Sequence, residues 1–151
     1  MPVAISLHLL AAVVWVGGMF FAYVVLRPVA ANLLEPPLRL TLWTQVFKRF
    51  FPWVWMAIII LLGTGFWMAF AVFGGMAKIG LHVHLMIALG VVMILLFMHA
   101  YFGPFRRLQE ALVINDMPAG ATKLNQIRKL IAINLILGLL VTIIATGGRY
   151  L

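Results

Sequence analysis

Residues 7–20 read LHLLAAVVWVGGMF, an apolar run that carries one histidine, one tryptophan and a pair of glycines. The run lies within a longer apolar stretch, from about residue 3 to residue 26. A helix of roughly 20 residues crosses a bilayer, so this stretch is long enough to be a transmembrane span. His8 lies about one turn inside it. Because polar side chains are costly in hydrocarbon and usually face the bundle interior, His8 is a candidate functional residue.

The composition assigns the whole chain to the membrane. Its 151 residues are 66% hydrophobic and 9% charged, which leaves too little polar surface to cover a water-soluble globule. Three further apolar segments follow, at about 51–73, 79–102 and 130–146. We therefore predict an all-α integral membrane protein, a single domain over residues 1–151 whose four transmembrane helices form an antiparallel bundle. The chain has no cysteine, which excludes disulfides, thiolate metal sites and covalent c-type haem attachment.

Proline and glycine suggest where the helices begin and end. Arg27 and Pro28 are expected to close the first helix, and Gly103 and Pro104 the third, because proline cannot continue the helical hydrogen-bond ladder. Glu35, followed by two prolines, predicts a new helix start. This helix either lies in the membrane interface or runs straight into the second span. An interfacial belt is predicted near the start of the second span from its aromatic residues Phe50, Phe51, Trp53 and Trp55.

Basic residues are concentrated in two of the three connections. The connections at 27–50 and 103–129, with their flanks, hold nine lysines and arginines, whereas the opposite side holds two, Lys78 and Arg149. The positive-inside rule then predicts that both connections are cytoplasmic and that both termini lie on the non-cytoplasmic side of an inner cell membrane. The net charge of +8 is thus a membrane-surface signal rather than a nucleic-acid signal. No span carries a carboxylate, which disfavours a proton pump.

This orientation places three histidines at a similar depth. His8 is near the outer end of the first helix, and His82 and His84 are near the outer end of the third. A rise of about 1.5 Å per residue brings them within about one helical turn of each other. His82 and His84 are about 200° apart around a helix, so only one of them can face His8. We predict that His82 pairs with His8, because its stripe also carries Met86, and that His84 is a rim residue or an auxiliary ligand.

The fourth histidine, His99, is expected on the same inward stripe as His82. It lies about 25 Å further along the helix axis, too far to share one metal ion with His82. It is either a second site or a structural partner for Asn134, which has a comparable depth in the fourth helix. Asn134 and Gly138 share a face of that helix, a pattern that favours an interhelical polar contact.

Two chemistries suit paired histidines in a chain without cysteine. Two neutral imidazoles on opposite helices can hold the iron of a b-type haem, and we predict haem b, held by His8 and His82, with an electron-transfer or oxidase-type role. The alternative is a copper ion, bound or transported by histidine with the thioethers of Met19 and Met86. A third interpretation is a structural or assembly subunit without a cofactor. The expected partners are the lipid bilayer and a redox partner or metal chaperone. The sequence is also compatible with a homodimer.

Short motifs in several spans resemble a known membrane family. His8, Trp15, Gly17 and Gly18 are similar to the H-x6-W-x-G-G signature in the first helix of the copper-resistance D (CopD) family and of the related HemJ-type protoporphyrinogen oxidases. The likeness extends to FPWVWMAIIILLGTG in the second span and to GLHVHL and FMHAYFGPFRRL in the third. The resemblance covers most of the chain.

The resemblance implies a four-helix unit, with b-type haem in the HemJ branch and proposed copper transport in the CopD branch. It marks His8, His82 and His99 as family-like positions. His84 stands where the HemJ-like pattern has a lysine. This difference argues against haem-dependent protoporphyrinogen oxidase activity. It does not argue against haem binding.

Overall fold

Four long helices make up nearly the whole protein. The computed structural model describes residues 1–150 and every side chain among them except that of Arg149. The helices are α1 (Pro2–Leu33), α2 (Pro36–Val72), α3 (Leu81–Val113) and α4 (Met117–Gly147). One-turn 3₁₀ segments occupy Met76–Lys78 and Gly148–Tyr150, and residues 1–150 contain no strand. All four helices are long and apolar enough to cross a membrane, which confirms the predicted all-α fold with four spans.

The start of α2 follows the local sequence closely. Glu35 has an extended backbone, with φ −64° and ψ 153°, and the two prolines after it occupy the first helical turn. Amide hydrogens in a first turn have no helical partner, so the prolines lose no hydrogen bond there. The helix then runs without a break to Val72. Of the two alternatives for this segment, the structure confirms the one in which it continues into the second span.

Two helices continue through the prolines that were expected to end them. Helix α1 passes Arg27 and Pro28, and α3 passes Gly103 and Pro104. In both helices a wider π turn lies beside or around the proline, at Phe21–Leu26 and Tyr101–Phe105. Proline lacks an amide hydrogen and crowds the carbonyl four residues earlier, and a locally wider helix accommodates both effects. The predicted helix ends at these two positions are therefore wrong.

The link between α3 and α4 is a compact helix cap. Asn115 adopts a left-handed backbone, with φ 58°. Its amide donates to the Leu112 carbonyl at 3.2 Å, and the Asp116 amide donates to the Ala111 carbonyl at 2.8 Å, the two bonds of a Schellman motif. The Asp116 side chain then accepts a hydrogen bond from the Ala119 amide and caps α4. The motif reverses the chain direction within three residues.

An aromatic cluster joins α2 to α3 inside the bundle. The rings of Phe47 and Phe51 stack with centroids 5.0 Å apart, and Phe51 meets Phe105 edge-on at 4.9 Å. Phe97 contacts Phe51 at 5.3 Å. Phe51 is only 3% exposed, whereas Trp53 is 56% exposed. The predicted interfacial belt is thus wrong for Phe51, which belongs to the core.

Two glycines allow close approaches between helices. A Cβ atom on Gly18 of α1 would overlap the ring of Phe50 on α2. A Cβ atom on Gly138 of α4 would lie 2.8 Å from Cγ2 of Val16 and 3.2 Å from Cε of Met93. The most extensive packing joins α1 to α2 and α3 to α4, and α4 also contacts α1 and α2. Small side chains at crossings let membrane helices pack closely, as they do here.

Candidate functional site

Three of the four histidines lie at one end of the bundle. His8 is near the start of α1, and His82 and His84 are in the first turn of α3. This end also contains the last turns of α2 and α4, because the helices alternate in direction. We call it the histidine end. The opposite end carries most of the basic residues and is called the basic end.

His8 has a specific hydrogen-bond partner on α2. Its Nδ1 atom lies 2.8 Å from Oγ1 of Thr64. The Thr64 hydroxyl donates its single proton to the Ile60 carbonyl at 2.6 Å. We therefore assign the imidazole hydrogen to Nδ1, with the threonine oxygen as its acceptor. Nε2 then carries no hydrogen and keeps its lone pair. A neutral imidazole with a free ring nitrogen is the form in which histidine binds a metal ion.

The face of α2 that contacts His8 contains a glycine, Gly65. A Cβ atom on Gly65 would lie 3.4 Å from Cε1 of His8, whereas one on Gly63 would meet nothing within 4 Å. The imidazole therefore lies against α2 at Gly65, at a distance where a methyl group would make ordinary van der Waals contact. The sequence did not indicate Thr64 as the partner of His8. A hydroxyl flanked by glycines, at the same depth as His8 in a neighbouring span, is the signal that would have found it.

His82 packs against a different helix from His8. The side chain is partly buried, and a Cβ atom on Gly148, just past α4, would lie 2.9 Å from Cβ of His82. The predicted ligand pair of His8 and His82 therefore has its two members on different neighbours, α2 and α4. Their pairing around a shared ligand stays a prediction.

His84 faces outward from α3. Its Nδ1 atom lies 3.1 Å from the carbonyl oxygen of Gly80, and the side chain is exposed. A carbonyl oxygen only accepts, so Nδ1 carries the hydrogen and Nε2 is again the free nitrogen. This outward position is what a rim residue or auxiliary ligand requires.

The inward stripe predicted for α3 is wrong for His99. Its side chain is exposed and lies beside Gly103 of its own helix, with Cε1 3.9 Å from the position of a Cβ there. Seventeen residues at about 100° each place it about 100° from His82 around the helix. Asn134 has another partner, because its Nδ2 donates to the Met93 carbonyl at 3.1 Å. The predicted interhelical polar contact of Asn134 is confirmed, and it joins α4 to α3.

The two predicted methionine ligands differ in their distance from the histidines. Met19 is 3% exposed and lies eleven residues after His8, about 16 Å further along α1. It cannot share one ion with His8. Met86 is partly buried and lies one turn after His82 on α3. Within residues 1–150, no three His, Asp or Glu side chains lie close enough together to hold a metal ion.

A family model described as Copper resistance protein D (CopD) matches residues 44–147. The match covers most of α2 and all of α3 and α4, which is more than half of the chain. It begins after α1, so the motif that contains His8 lies outside it. Comparisons with curated proteins and with solved structures found no match.

Proposed function

Because this chain belongs to the copper resistance protein D family, we propose that it is a copper-handling membrane protein that binds the ion at the histidine end through His8. The family match carries the copper part of the proposal, and the hydrogen bond between His8 and Thr64 is the observation that favours His8, which lies outside the matched residues. We also infer from the distribution of lysine and arginine that the histidine end faces outward from the inner cell membrane. Copper is the cargo of the protein in this proposal.

The chemistry of the available side chains suits monovalent copper. Imidazole nitrogen and thioether sulfur are ligands that favour copper over magnesium or calcium. Both are neutral, so a bound Cu(I) ion adds one positive charge and no anion to an apolar region. Each of the three acidic side chains, those of Glu35, Glu110 and Asp116, lies toward the basic end. The histidine end therefore offers neutral soft or borderline ligands, among them His8, His82, His84 and Met86.

The core favours binding at the histidine end over an open path through the bundle. Between Trp15, Phe97 and Asn134 the core has a partly open cavity of about 20 Å³. That volume accommodates about one water molecule. Movement of copper toward Met19 would therefore require the helices to part. Transport, if it accompanies binding, needs a second conformation.

Haem b stays a prediction. The cofactor content of the purified protein distinguishes haem binding from copper binding. Purified full-length protein from copper-supplied cells should contain copper in proportion to the chain and show no Soret band. A red protein whose Soret band disappears in His8→Ala would instead establish haem. Protein with neither cofactor would favour a structural subunit and contradict the copper proposal.

Thr64 is expected to tune copper binding through His8. In Thr64→Val the imidazole loses the acceptor that holds its hydrogen on Nδ1, so Nε2 is no longer the preferred free nitrogen. Partners of this kind typically alter metal affinity by about 10–100-fold, and we expect weakening in that range. The measurement is a competition titration of Cu(I) against a chromophoric chelator.

Thr142→Val is the matched control for Thr64→Val. The Thr142 hydroxyl donates to the Gly138 carbonyl of its own helix at 2.9 Å, as Thr64 does to Ile60, but no histidine is bonded to it. Copper affinity should be unchanged in this variant. Equal affinities for both threonine variants would show that the hydrogen bond to His8 has no role in binding.

A further inference from the structure

A cleft lined by arginines opens at the basic end. Arg27 of α1, Arg39 of α2 and Arg128 of α4 line it, together with Tyr23 and Asn32, and its volume is about 440 Å³. The three guanidinium groups come from three different helices. The volume lies within the range of small-molecule sites, roughly 300–1,000 Å³. The bundle thus brings three positive charges to one opening.

No acidic side chain neutralises this cleft in the part of the chain that the structure describes. The described residues form one ion pair, between Arg106 and Glu110 on the surface of α3. Asp116 caps α4, and Glu35 is exposed and forms no ion pair. These are the chain's three acidic residues. No acidic side chain among the described residues therefore pairs with the arginines of the cleft.

Backbone dipoles do not balance the charge either. The carboxyl end of α1 carries roughly −0.5 of a charge, but the amino end of α2 begins three residues later with the opposite sign. Nη2 of Arg39 donates to the Leu34 carbonyl at 3.3 Å, which uses one of the five guanidinium hydrogens. Most donors in the cleft remain available for a ligand.

The arginines are held in place while some of their donors have no partner. The Nε atoms of Arg39 and Arg128 are buried and form no hydrogen bond. The guanidinium of Arg27 lies over the Tyr23 ring, 4.5 Å from its centroid, which orients it. The charges of Arg27 and Arg39 also repel that of Arg128. Like charges held close together are unfavourable, and an anion bound by the outer guanidinium nitrogens would relieve the repulsion between the three arginines.

We propose that this arginine cleft binds a phosphate group, carried either by an anionic phospholipid or by a soluble phosphate. Guanidinium groups bind phosphate oxygens through parallel N–H donors, with a geometry that lysine lacks. Basic pockets between transmembrane helices are a known type of binding site for phosphate headgroups. The proposal does not depend on copper binding, because the cleft lies at the opposite end of the bundle from His8.

The test measures thermal unfolding of the purified full-length protein in nanodiscs of neutral phosphatidylcholine. Phosphatidylglycerol in the disc and inorganic phosphate in the buffer are the two probes. At least one of them should raise the Tm of the wild-type protein, since a ligand that binds only the folded state stabilises it. In Arg39→Gln and Arg128→Gln the apparent affinity should fall at least about tenfold. Arg107→Gln, an exposed arginine at the same end but outside the cleft, should keep the wild-type shift.

The Tm values measured without phosphatidylglycerol or phosphate distinguish a ligand-binding role of the arginines from a purely structural one. Arg128→Gln should then be at least as stable as the wild type, because one repulsive charge is gone. A purely structural arginine would make the variant less stable with and without the probes. A shift with phosphatidylglycerol alone identifies a lipid headgroup, and a shift with inorganic phosphate in neutral discs identifies a soluble ligand. The proposal is overturned if neither probe shifts the wild type, or if both cleft variants keep the full shift.

Discussion

Replacing His8 with alanine is expected to remove copper from the purified protein. His8 is the histidine whose Nδ1 hydrogen is held by another helix, at 2.8 Å from Oγ1 of Thr64, which leaves Nε2 ready to bind. Alanine deletes the ligand and leaves the Thr64 hydroxyl bonded to its own helix at Ile60. The helix should form normally, because alanine has the highest helix propensity. Copper content by elemental analysis and Cu(I) affinity by chelator competition are the measurements.

His99→Ala is the control for this prediction. His99 is exposed and lies toward the basic end, so its replacement should leave copper content unchanged. Full copper retention in His8→Ala, with loss in His82→Ala or His84→Ala, would move the site to α3. Loss in His8→Ala alone, or together with either of these variants, supports the proposed site.

The second large effect is expected from a single methyl group at Gly18. Gly18→Ala places a Cβ atom inside the volume of the Phe50 ring, at the crossing of α1 and α2. Phe50 is partly buried and packs beside Phe51 with ring centroids 6.4 Å apart, so its ring must shift to admit the methyl group. Overpacking of this kind typically destabilises by about 1–3 kcal/mol. We expect a lower Tm for the purified protein in detergent.

Gly17→Ala provides the neighbouring control. A Cβ atom there meets nothing within 4 Å. Alanine is favoured over glycine in helices by about 0.5–1 kcal/mol, so this variant should be as stable as the wild type or slightly more stable. Equal unfolding temperatures for the two alanine variants would show that the α1–α2 crossing adapts to a larger residue at Gly18.

Hydropathy and charge were sufficient to predict the class of fold, but local rules misplaced some helix ends. Four long apolar segments in a chain with few charges predict four transmembrane spans. Glu35 marked a helix start correctly because its two prolines suit a first turn. Pro28 and Pro104 were misinterpreted because a proline rule for regular α-helices does not include the wider π turns that let both helices continue.

The site was predicted less completely than the fold. His8 was recognisable as a polar residue in an apolar span, and Asn134 as an interhelical contact. The Thr64 partner was missed because hydropathy does not state which helices are neighbours, and α1 packs on α2 along its length. The predicted orientation of His99 was wrong because a residue seventeen positions after His82 does not lie on the same face of the helix.

The two short links have a consequence for the order in which the protein forms. Two residues join α1 to α2 and three join α3 to α4, and these are also the pairs with the most extensive packing. Contacts between close neighbours in the chain form with little loss of chain entropy. We therefore expect each helical hairpin to assemble as a unit, with α1–α2 first during synthesis. The aromatic cluster between α2 and α3 forms only when the second hairpin docks on the first.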